Sequence, residues 1–186
     1  MKRVFDIFLS LILIILLSLL MVFILIAIKL TSKGPILFWS NRMGKSNVFF
    51  KMPKFRSMKT TTPILATHLL QDPELYLSPI GSFLRKYSLD ELPQLFNVIK
   101  GDMSLVGYRP ALFNQDNLIN MRKEKGLENI LPGITGLAQI NGRDDLTIPE
   151  KVSLDVEYMN SMSLALDIKI LFLTFFKVFS KNGVSH

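Results

Sequence analysis

The 186-residue sequence has no cysteine, so it can form neither a disulfide nor a thiolate metal site. Its two histidines, His68 and His186, lie far apart in the chain and form no local pair of metal ligands. Any bound metal is therefore expected to be held mainly by oxygen atoms. The motif G-x-x-x-x-G-K-[ST] is also missing, and its absence excludes a P-loop nucleotide site.

Acidic residues are scarce: 15 Asp and Glu stand against 22 Lys and Arg, which gives a net charge of +7. From Lys29 to Lys59 there are eight positive residues and no acid. This balance favours an anionic partner, which is a membrane surface, nucleic acid or a phosphorylated small molecule. The length predicts one domain with at most an appendage, and no second catalytic domain.

One long apolar run indicates where the protein resides. Residues 7–28 carry no charge, and as a helix they would extend roughly 33 Å, against about 30 Å of membrane hydrocarbon. We therefore expect a membrane-embedded helix over residues 1–30 and a cytoplasmic domain over 31–186. A secretory signal peptide has a shorter apolar core and a small-residue cleavage site, whereas Lys29 follows here at once, so we expect the segment to be retained. The basic residues after it predict a surface that faces anionic lipids.

Two adjacent carboxylates, Asp90 and Glu91, occur in the stretch SLDELPQLFNV. Pro93 has no backbone N–H and fits only the first helical turn, so the helix is predicted to begin near Leu89 or Asp90. One interpretation is capping, because Ser88-x-x-Glu91 matches a capping box. The other is catalytic: the helix dipole keeps Asp90 ionised as a nucleophile, and Glu91 binds a metal or accepts a proton. The local sequence leaves both open.

Positive side chains recur beside glycine-rich turns. Any one of them is explained as a solvated or lipid-facing charge. Together they predict a phosphate-binding set, because Arg matches phosphate oxygens with two hydrogen bonds and glycine-rich turns expose backbone N–H groups. Nucleic acid is the competing anion, but a membrane segment and a carboxylate pair fit it poorly, so no nucleic-acid partner is expected. The candidate set is Lys54, Arg56, Arg85, Arg109 and Arg143.

The C-terminal region predicts two helices. The stretch IPEKVSLDVEYM is predicted to form a helix capped near Thr147, and its Asp155 is interpreted as a structural acid, with lining of the site as the alternative. A last helix over 164–179 has an apolar face of 3.6-residue period and is expected to pack on the domain or lie in the membrane interface. Its aromatic residues are predicted to pack in the core: Phe172, Phe175, Phe176 and Phe179.

Four stretches resemble the bacterial sugar transferases, and among them the small monotopic phosphoglycosyl transferases. They are KRVFD (2–6), KFRSM (54–58), RKYSLDELPQLFNVIKGDMSLVGYRP (85–110) and PGITGLAQINGR (132–143). The resemblance implies transfer of a sugar-1-phosphate from a UDP-sugar, with an N-acetylated amino sugar as the expected donor, to polyprenol (undecaprenyl) phosphate. UMP would be released, and glycan assembly would begin at the cytoplasmic face of the bacterial inner membrane.

The resemblance also implies roles for individual residues. Asp90 would attack the sugar-linked phosphorus and form a phosphoglycosyl-aspartate, and Glu91 would bind Mg²⁺. The implied fold is α+β and mainly helical: a small cytoplasmic catalytic domain, a re-entrant N-terminal membrane helix and interfacial amphipathic helices. Membrane lipids are expected partners, and a homo-oligomer is one open alternative. The positions implied to bind substrate are Lys54, Arg56, Arg85, Arg109, Gln139, Arg143 and Asp155.

Two departures from the family pattern bear on these expectations. Tyr108 stands where the family's GPRP has its first proline, and Leu19 follows Ser18 where many members have a helix-breaking Ser-Pro. Without that proline, a bend is expected from the Ser18 hydroxyl bonding to a carbonyl one turn earlier. A full span is the alternative to the re-entrant helix, and the positive-inside rule would then place the N-terminus outside.

Two rival functions are also compatible with the sequence. One is a non-catalytic basic scaffold that binds anionic lipids at the membrane surface. The other is an enzyme in which Asp90 or Glu91 activates polyprenol phosphate for direct attack, without a covalent stage.

Overall fold

The computed structural model describes residues 1–63 and 71–179, and the side chains of Asp144 and Phe179 lie outside the description, as do His68 and His186. The helices are α1 (Lys2–Thr31), α2 (Gly81–Lys86), α3 (Leu95–Lys100), α4 (Asp116–Glu124), α5 (Leu137–Ile140), α6 (Ile148–Ser161) and α7 (Leu164–Phe179). The strands are β1 (Leu37–Met43), β2 (Phe49–Phe55), β3 (Ser104–Val106) and β4 (Gly133–Thr135). The prediction of a mainly helical chain with small sheets is confirmed.

Strands β1 and β2 form an antiparallel hairpin whose register pairs Ser40 with Met52 and Arg42 with Phe50. Because directly paired residues share a face and alternate residues of a strand do too, the even-numbered residues of both strands point to one side. Phe50 and Met52 on this side pack into the core. Lys54, on the same side and closer to the end of β2, reaches the carboxylate pair.

Strands β3 and β4 run parallel, and α4 lies in the connection between them. A Cβ added to Gly133 would lie 2.1 Å from the backbone nitrogen of Gly107, so only glycine allows this approach. The N–H of Gly107 donates to the carbonyl of Thr135 and that of Gly133 to the carbonyl of Tyr108, both at 2.8 Å. The interpretation that these turns expose their amides to phosphate is therefore wrong at both glycines.

The N-terminal end of α1 is fastened to the domain by three charged residues of the KRVFD motif. Lys2 pairs with Asp167 of α7 at 2.6 Å. Arg3 donates to backbone carbonyls at the C-terminal end of α3. The buried Asp6 accepts a hydrogen bond from the Ser104 hydroxyl of β3 at 2.8 Å. The motif thus joins α1 to three other elements.

The C-terminal end of α1 contacts the same domain. Ile24 and Ile28 are buried in an apolar cluster with Phe55 and Leu84. Arg56 at the end of β2 donates to backbone carbonyls just after the helix. Both ends of α1 therefore lie against one domain, although about 37 Å of helix separates Arg3 from Ile28.

The middle of α1 is continuous. The Ser18 hydroxyl donates to the Ile15 carbonyl at 2.8 Å, which is the predicted bond, and the helix runs through it without interruption. Within the part of the chain that the structure describes, α1 alone is long and apolar enough to cross a membrane, by length and composition. Its outward face exposes a row of large apolar side chains that includes Phe8, Leu16 and Phe23.

The last helix, α7, turns one acidic residue inward and its described aromatic residues outward. Asp167 and Ile170 are buried, and Asp167 accepts a hydrogen bond from the Tyr158 hydroxyl at 2.6 Å. Phe172, by contrast, is 62% exposed, and Phe175 and Phe176 are similarly exposed. The prediction that this aromatic run packs in the core is wrong for these three residues. The Phe179 side chain lies outside the description.

Candidate active site

The carboxylate pair lies in the first turn of a 3-10 helix, Leu89–Gln94, that continues into α3. Ser88 before it is left-handed (φ 52°), and its carbonyl accepts the N–H of Glu91 at 3.1 Å. The predicted helix start is confirmed. The predicted capping box is wrong, because the Ser88 side chain caps nothing; the box forms between Thr147 and Glu150, where the other predicted cap lies. The capping box therefore does not account for the carboxylate pair.

Glu91 is buried between two cations. Its Oε1 accepts from Lys54 Nζ at 2.7 Å and from Arg109 Nη2 at 2.8 Å, while Oε2 lies 3.5 Å from Arg109 Nη1. Burial raises the pKa of Glu91, but the charges and hydrogen bonds of Arg109 and Lys54 outweigh it, so the pKa lies well below its usual range. Glu91 is therefore an anion at physiological pH.

Asp90 is only 7% exposed but is paired less closely, with its Oδ2 3.7 Å from Lys54 Nζ. Burial raises the pKa of Asp90, Lys54 opposes that shift, and the neighbouring Glu91 adds to it, so the pKa lies above its ordinary value. The two carboxylates are thus made different by their surroundings. Glu91 is bound tightly by cations, whereas among the described residues Asp90 has an ion pair only at Oδ2, at 3.7 Å.

A basic cavity of about 430 Å³ opens beside Asp90, and Lys54 and Arg85 lie on its wall. Arg56 also lines it. Its guanidinium, however, donates to the Ser32 carbonyl at 3.0 Å and to the Ser32 hydroxyl at 2.6 Å, so it fastens β2 to the end of α1. A substrate contact from Arg56 stays a prediction.

Arg42 is a residue of the basic cavity that the sequence analysis did not single out. It donates to the Pro110 carbonyl at 3.1 Å and to the Ser40 hydroxyl at 3.0 Å. Burial and then the charge of Arg109 lower the pKa of Arg42 to about 10, so it still carries its charge at neutral pH. The period-two alternation of β1 could have found it, because Ser40 and Arg42 share a strand face with Lys54.

Buried side chains hold the backbone of Arg109 in place. Asp155 accepts from Arg122 Nε at 3.0 Å and Nη2 at 2.7 Å, and Arg122 Nη1 donates to the backbone carbonyl of Arg109 at 2.7 Å. The ring of the buried Tyr108 packs on the Arg122 guanidinium, 4.8 Å from the ring centroid. Tyr108 therefore supports the loop at the position where the family has proline. Asp155 is placed as a structural acid that reaches Arg109 only through Arg122.

A second cavity, of about 410 Å³, lies on the Glu91 side between α1, α7 and residues 134–145. Gln139, Arg143 and Lys177 line it, and most of its remaining wall is aliphatic. The structure thus divides the predicted substrate-binding residues. Lys54, Arg85 and Arg109 lie with the carboxylates and the basic cavity, whereas Gln139 and Arg143 line this apolar cavity.

Comparison with known proteins decides the family. The family model described as "Bacterial sugar transferase" matches residues 1–181. The chain belongs to the bacterial sugar transferase family. This sugar transferase is 43% identical to the undecaprenyl-phosphate glucose phosphotransferase of Komagataeibacter xylinus over 98% of the chain and 36% of that relative. It is 40% identical to the uncharacterized sugar transferase EpsL of Bacillus subtilis (strain 168), over 99% of the chain and 90% of EpsL.

A third relative is the UDP-glucose:undecaprenyl-phosphate glucose-1-phosphate transferase of Escherichia coli (strain K12), which is 41% identical over 96% of the chain and 40% of its own length. The sugar transferase therefore spans little more than a third of two relatives and nearly all of EpsL. The predicted family is confirmed.

Proposed function

We propose that this sugar transferase moves a sugar-1-phosphate from a UDP-sugar to polyprenol phosphate, such as undecaprenyl phosphate, and releases UMP. The observation that carries the proposal is the buried Asp90–Glu91 pair, with Glu91 bound between Lys54 and Arg109. The names of the K. xylinus and E. coli relatives support the acceptor class. The product would begin a glycan at the cytoplasmic face of the bacterial inner membrane.

The reaction has two displacements at one phosphorus. An ionised oxygen of Asp90 attacks the phosphorus that carries the sugar, a P–O bond to the carboxylate forms, and the bond to the bridging oxygen breaks, so that UMP leaves with the bonding electrons. A phosphate oxygen of polyprenol phosphate then attacks the phosphoglycosyl-aspartate, and the carboxylate leaves. Asp90 is regenerated, and the product is a polyprenyl-diphosphate sugar.

The cations stabilise the charge that each displacement develops. Lys54 and Arg85 line the cavity beside Asp90, where the diphosphate of the donor binds. Arg109 lies in the connection between β3 and β4 and donates a hydrogen bond to Glu91. From there it neutralises charge on the transferred phosphate. Glu91, held as an anion, keeps Lys54 and Arg109 in place around the reacting carboxylate.

Mg²⁺ is part of the proposal, and the residues present fit it. Among residues 1–63 and 71–179, no group of three or more Asp, Glu or His could hold a metal alone. Mg²⁺ is commonly bound through one or two carboxylates and completed by substrate phosphates and water, and Glu91 with Asp90 supplies that number. Glu91 would be the protein ligand, through the carboxylate that is already ionised. Bound there, the ion would neutralise the diphosphate of the donor.

We expect chelation to abolish turnover, because the protein offers too few ligands to keep the metal without substrate. Excess EDTA should bring UMP release to background, and Mg²⁺ or Mn²⁺ should restore it. Glu91→Gln should raise the Mg²⁺ concentration needed for half-maximal activity. Full activity in excess EDTA contradicts the proposed metal.

We expect Lys54→Met to move the acid limb of the pH–rate profile to higher pH. The ionised form of Asp90 is lost as the pH falls through its pKa, and Lys54 is the largest influence that lowers this pKa. Removing Lys54 therefore leaves Asp90 protonated up to a higher pH. Lys54→Arg, which keeps the charge, is the control. If the acid limb of the Lys54→Met profile does not move, that limb does not reflect the ionisation of Asp90.

We expect the Arg122–Asp155 pair to support activity separately from stability. Arg122→Met leaves Asp155 buried without its counter-charge and should cost about 3 kcal/mol or more of unfolding free energy. The double variant Arg122→Met/Asp155→Leu removes both charges and should recover most of that stability in urea denaturation. Its kcat should stay reduced by about tenfold, because the Arg109 carbonyl has lost its donor. A fully active double variant contradicts the positioning role.

The proposed membrane topology is re-entrant, so that α1 enters and leaves by the cytoplasmic face. Contacts at both ends of α1 with one domain support this topology. The exposed apolar rows of α1 and α7 support insertion of the first and interfacial placement of the second. Membrane lipids are therefore proposed partners, and the homo-oligomer stays a prediction.

The test of the proposed function is UMP release by purified protein with polyprenol phosphate and Mg²⁺ across a panel of UDP-sugars. The predicted donor carries an N-acetylated amino sugar, whereas glucose appears in the names of two relatives, so the panel must compare UDP-N-acetylhexosamines with UDP-glucose and UDP-galactose. One donor should give sugar-dependent and acceptor-dependent UMP. No release from any donor favours the rival membrane scaffold.

A further inference from the structure

The apolar cavity between α1 and α7 has the size of a ligand site, about 410 Å³. Residues from the middle of the membrane-type helix α1 form part of its wall, and residues of α7 form another part. Its inner end reaches Ser88 and Glu91, which flank Asp90. The aliphatic lining includes Leu13, Leu17, Leu95, Leu105, Ile134 and Leu171. This aliphatic part of the wall suits a hydrocarbon chain and offers no side-chain hydrogen bond to a uridine base.

Gln139 lies on the wall of this cavity with an unused side-chain amide. The residue is 7% exposed, and among the residues that the structure describes neither its Nε2 nor its Oε1 has a hydrogen-bond partner. A buried amide without partners costs about 1–3 kcal/mol, so its presence calls for a ligand that hydrogen-bonds to it. Leucine of similar size would avoid that cost. A phosphate oxygen is a suitable acceptor for the amide N–H.

Charged side chains of both signs line the cavity. Its charged residues are Arg143, Lys177, Asp145 and Glu91. Glu91 is already neutralised by its two cations, and Lys177 donates to the Ile140 carbonyl, which holds its ammonium against α5. Arg143 and Lys177 thus place two cationic side chains on the wall of this cavity. Such side chains suit a ligand with a mono- or dianionic phosphate.

The surface around the cavity is apolar on both sides. On α1, Leu16 and Leu20 are exposed, and on α7, Phe172 and Phe175 are exposed. A hydrocarbon chain that leaves the cavity would therefore stay in contact with apolar surface and, in a membrane, with lipid. The ligand that fits has an anionic phosphate at one end and a long hydrocarbon chain at the other.

We propose that this cavity binds polyprenol phosphate, with Gln139, Arg143 and Lys177 around the phosphate and the isoprenoid chain between α1 and α7. The inference rests on the proposed function and adds a second access route to it. The donor reaches Asp90 from the basic cavity, and the acceptor arrives from the membrane side, past Glu91. UMP can then leave without crossing the path of the lipid.

The first test replaces the unused amide. Gln139→Leu removes a buried polar group that has no partner in the described part of the chain, so the melting temperature should stay equal or rise. The KM for polyprenol phosphate should rise tenfold or more, while the KM for the UDP-sugar stays unchanged. An unchanged KM for polyprenol phosphate overturns the assignment of Gln139.

The second test fills the cavity. Leu17→Trp should raise the KM for polyprenol phosphate at least tenfold and leave that for the UDP-sugar unchanged, because Leu17 lines the apolar cavity and not the basic one. Leu16→Trp is the matched control, since the neighbouring Leu16 is 71% exposed and lines neither cavity. Equal effects of the two substitutions overturn the proposal.

The third test does not depend on turnover. A polyprenyl phosphate with a photoreactive group in its first isoprene units should crosslink to peptides of α1 and α7. Unlabelled polyprenyl phosphate should compete, whereas inorganic phosphate and phosphatidic acid vesicles at the same phosphate concentration should not. Competition by either of these, or crosslinks confined to β1 and β2, overturns the lipid assignment. Wild-type protein that crosslinks correctly but is inactive with every UDP-sugar instead contradicts the proposed function alone.

Discussion

Asp90→Asn is expected to lower UMP formation by about four orders of magnitude, because it removes the nucleophile itself. Incubated with its UDP-sugar and Mg²⁺ but without polyprenol phosphate, the wild-type protein should gain the mass of one sugar phosphate on the peptide that contains Asp90. The variant should gain none. The measurement is intact-protein and peptide mass spectrometry beside a UMP assay.

The control is Asp116→Asn, which makes the same chemical change at an exposed position in the first turn of α4 and should keep full activity. Three outcomes separate the competing functions. An adduct with an inactive variant supports the covalent route. If Asp90→Asn is inactive but the wild type forms no adduct, the acceptor attacks directly. If Asp90→Asn is as active as the wild type, Asp90 is not the nucleophile.

The sequence alone placed the carboxylate pair correctly because one residue constrains it. Pro93 cannot lie beyond the first turn, so Asp90 and Glu91 had to lie at the start of the helix. The sequence could not show that the pKa values of the two carboxylates shift in opposite directions. That difference depends on Lys54 and Arg109, which are distant in the sequence and meet Glu91 only through the hairpin and the loop after β3. Long-range pairing of this kind has no local pattern.

Two interpretations were wrong for physical reasons that apply more widely. Glycine indicates close approach of the backbone, but it does not indicate what approaches: at Gly107 and Gly133 it is another strand, and not a phosphate. The amphipathic pattern of α7 likewise identifies an apolar face but not its environment. In a membrane-associated chain, lipid and protein core both accept Phe172 and Phe175, and the buried Asp167 fixes which face turns inward.

Contacts of Arg122 and Arg42 were missed because each looks like an ordinary surface charge in the sequence. Arg122 lies within the polar helix α4, yet it is buried against Asp155 and Tyr108. Strand alternation could have indicated Arg42, whereas nothing local indicates Arg122. Its partner lies 33 positions away.

A cysteine placed ahead of Met1 is expected to be protected from a membrane-impermeant thiol reagent in intact cells and to react fully after permeabilisation. Met1 is fully exposed, so a short Cys-Gly-Ser extension leaves the contacts of Lys2 and Arg3 intact. The chain has no other cysteine, so labelling reports this position alone. Asn114→Cys, an exposed position in the loop before α4, is the control for the face that holds the catalytic domain.

The two cysteines should behave alike, because in the proposed re-entrant topology both ends of α1 keep their contacts with the domain. Spanning would carry Lys2 away from Asp167 and Asp6 away from Ser104. It would leave the carboxylate of Asp167 buried without its counter-charge, which costs about 3–5 kcal/mol. By the positive-inside rule, the eight positive residues from Lys29 to Lys59 favour the proposed placement of the other end of α1 at the cytoplasmic face. Labelling of the N-terminal cysteine in intact cells, with Asn114→Cys protected, would establish a span and require α1 to leave the domain at its N-terminal end.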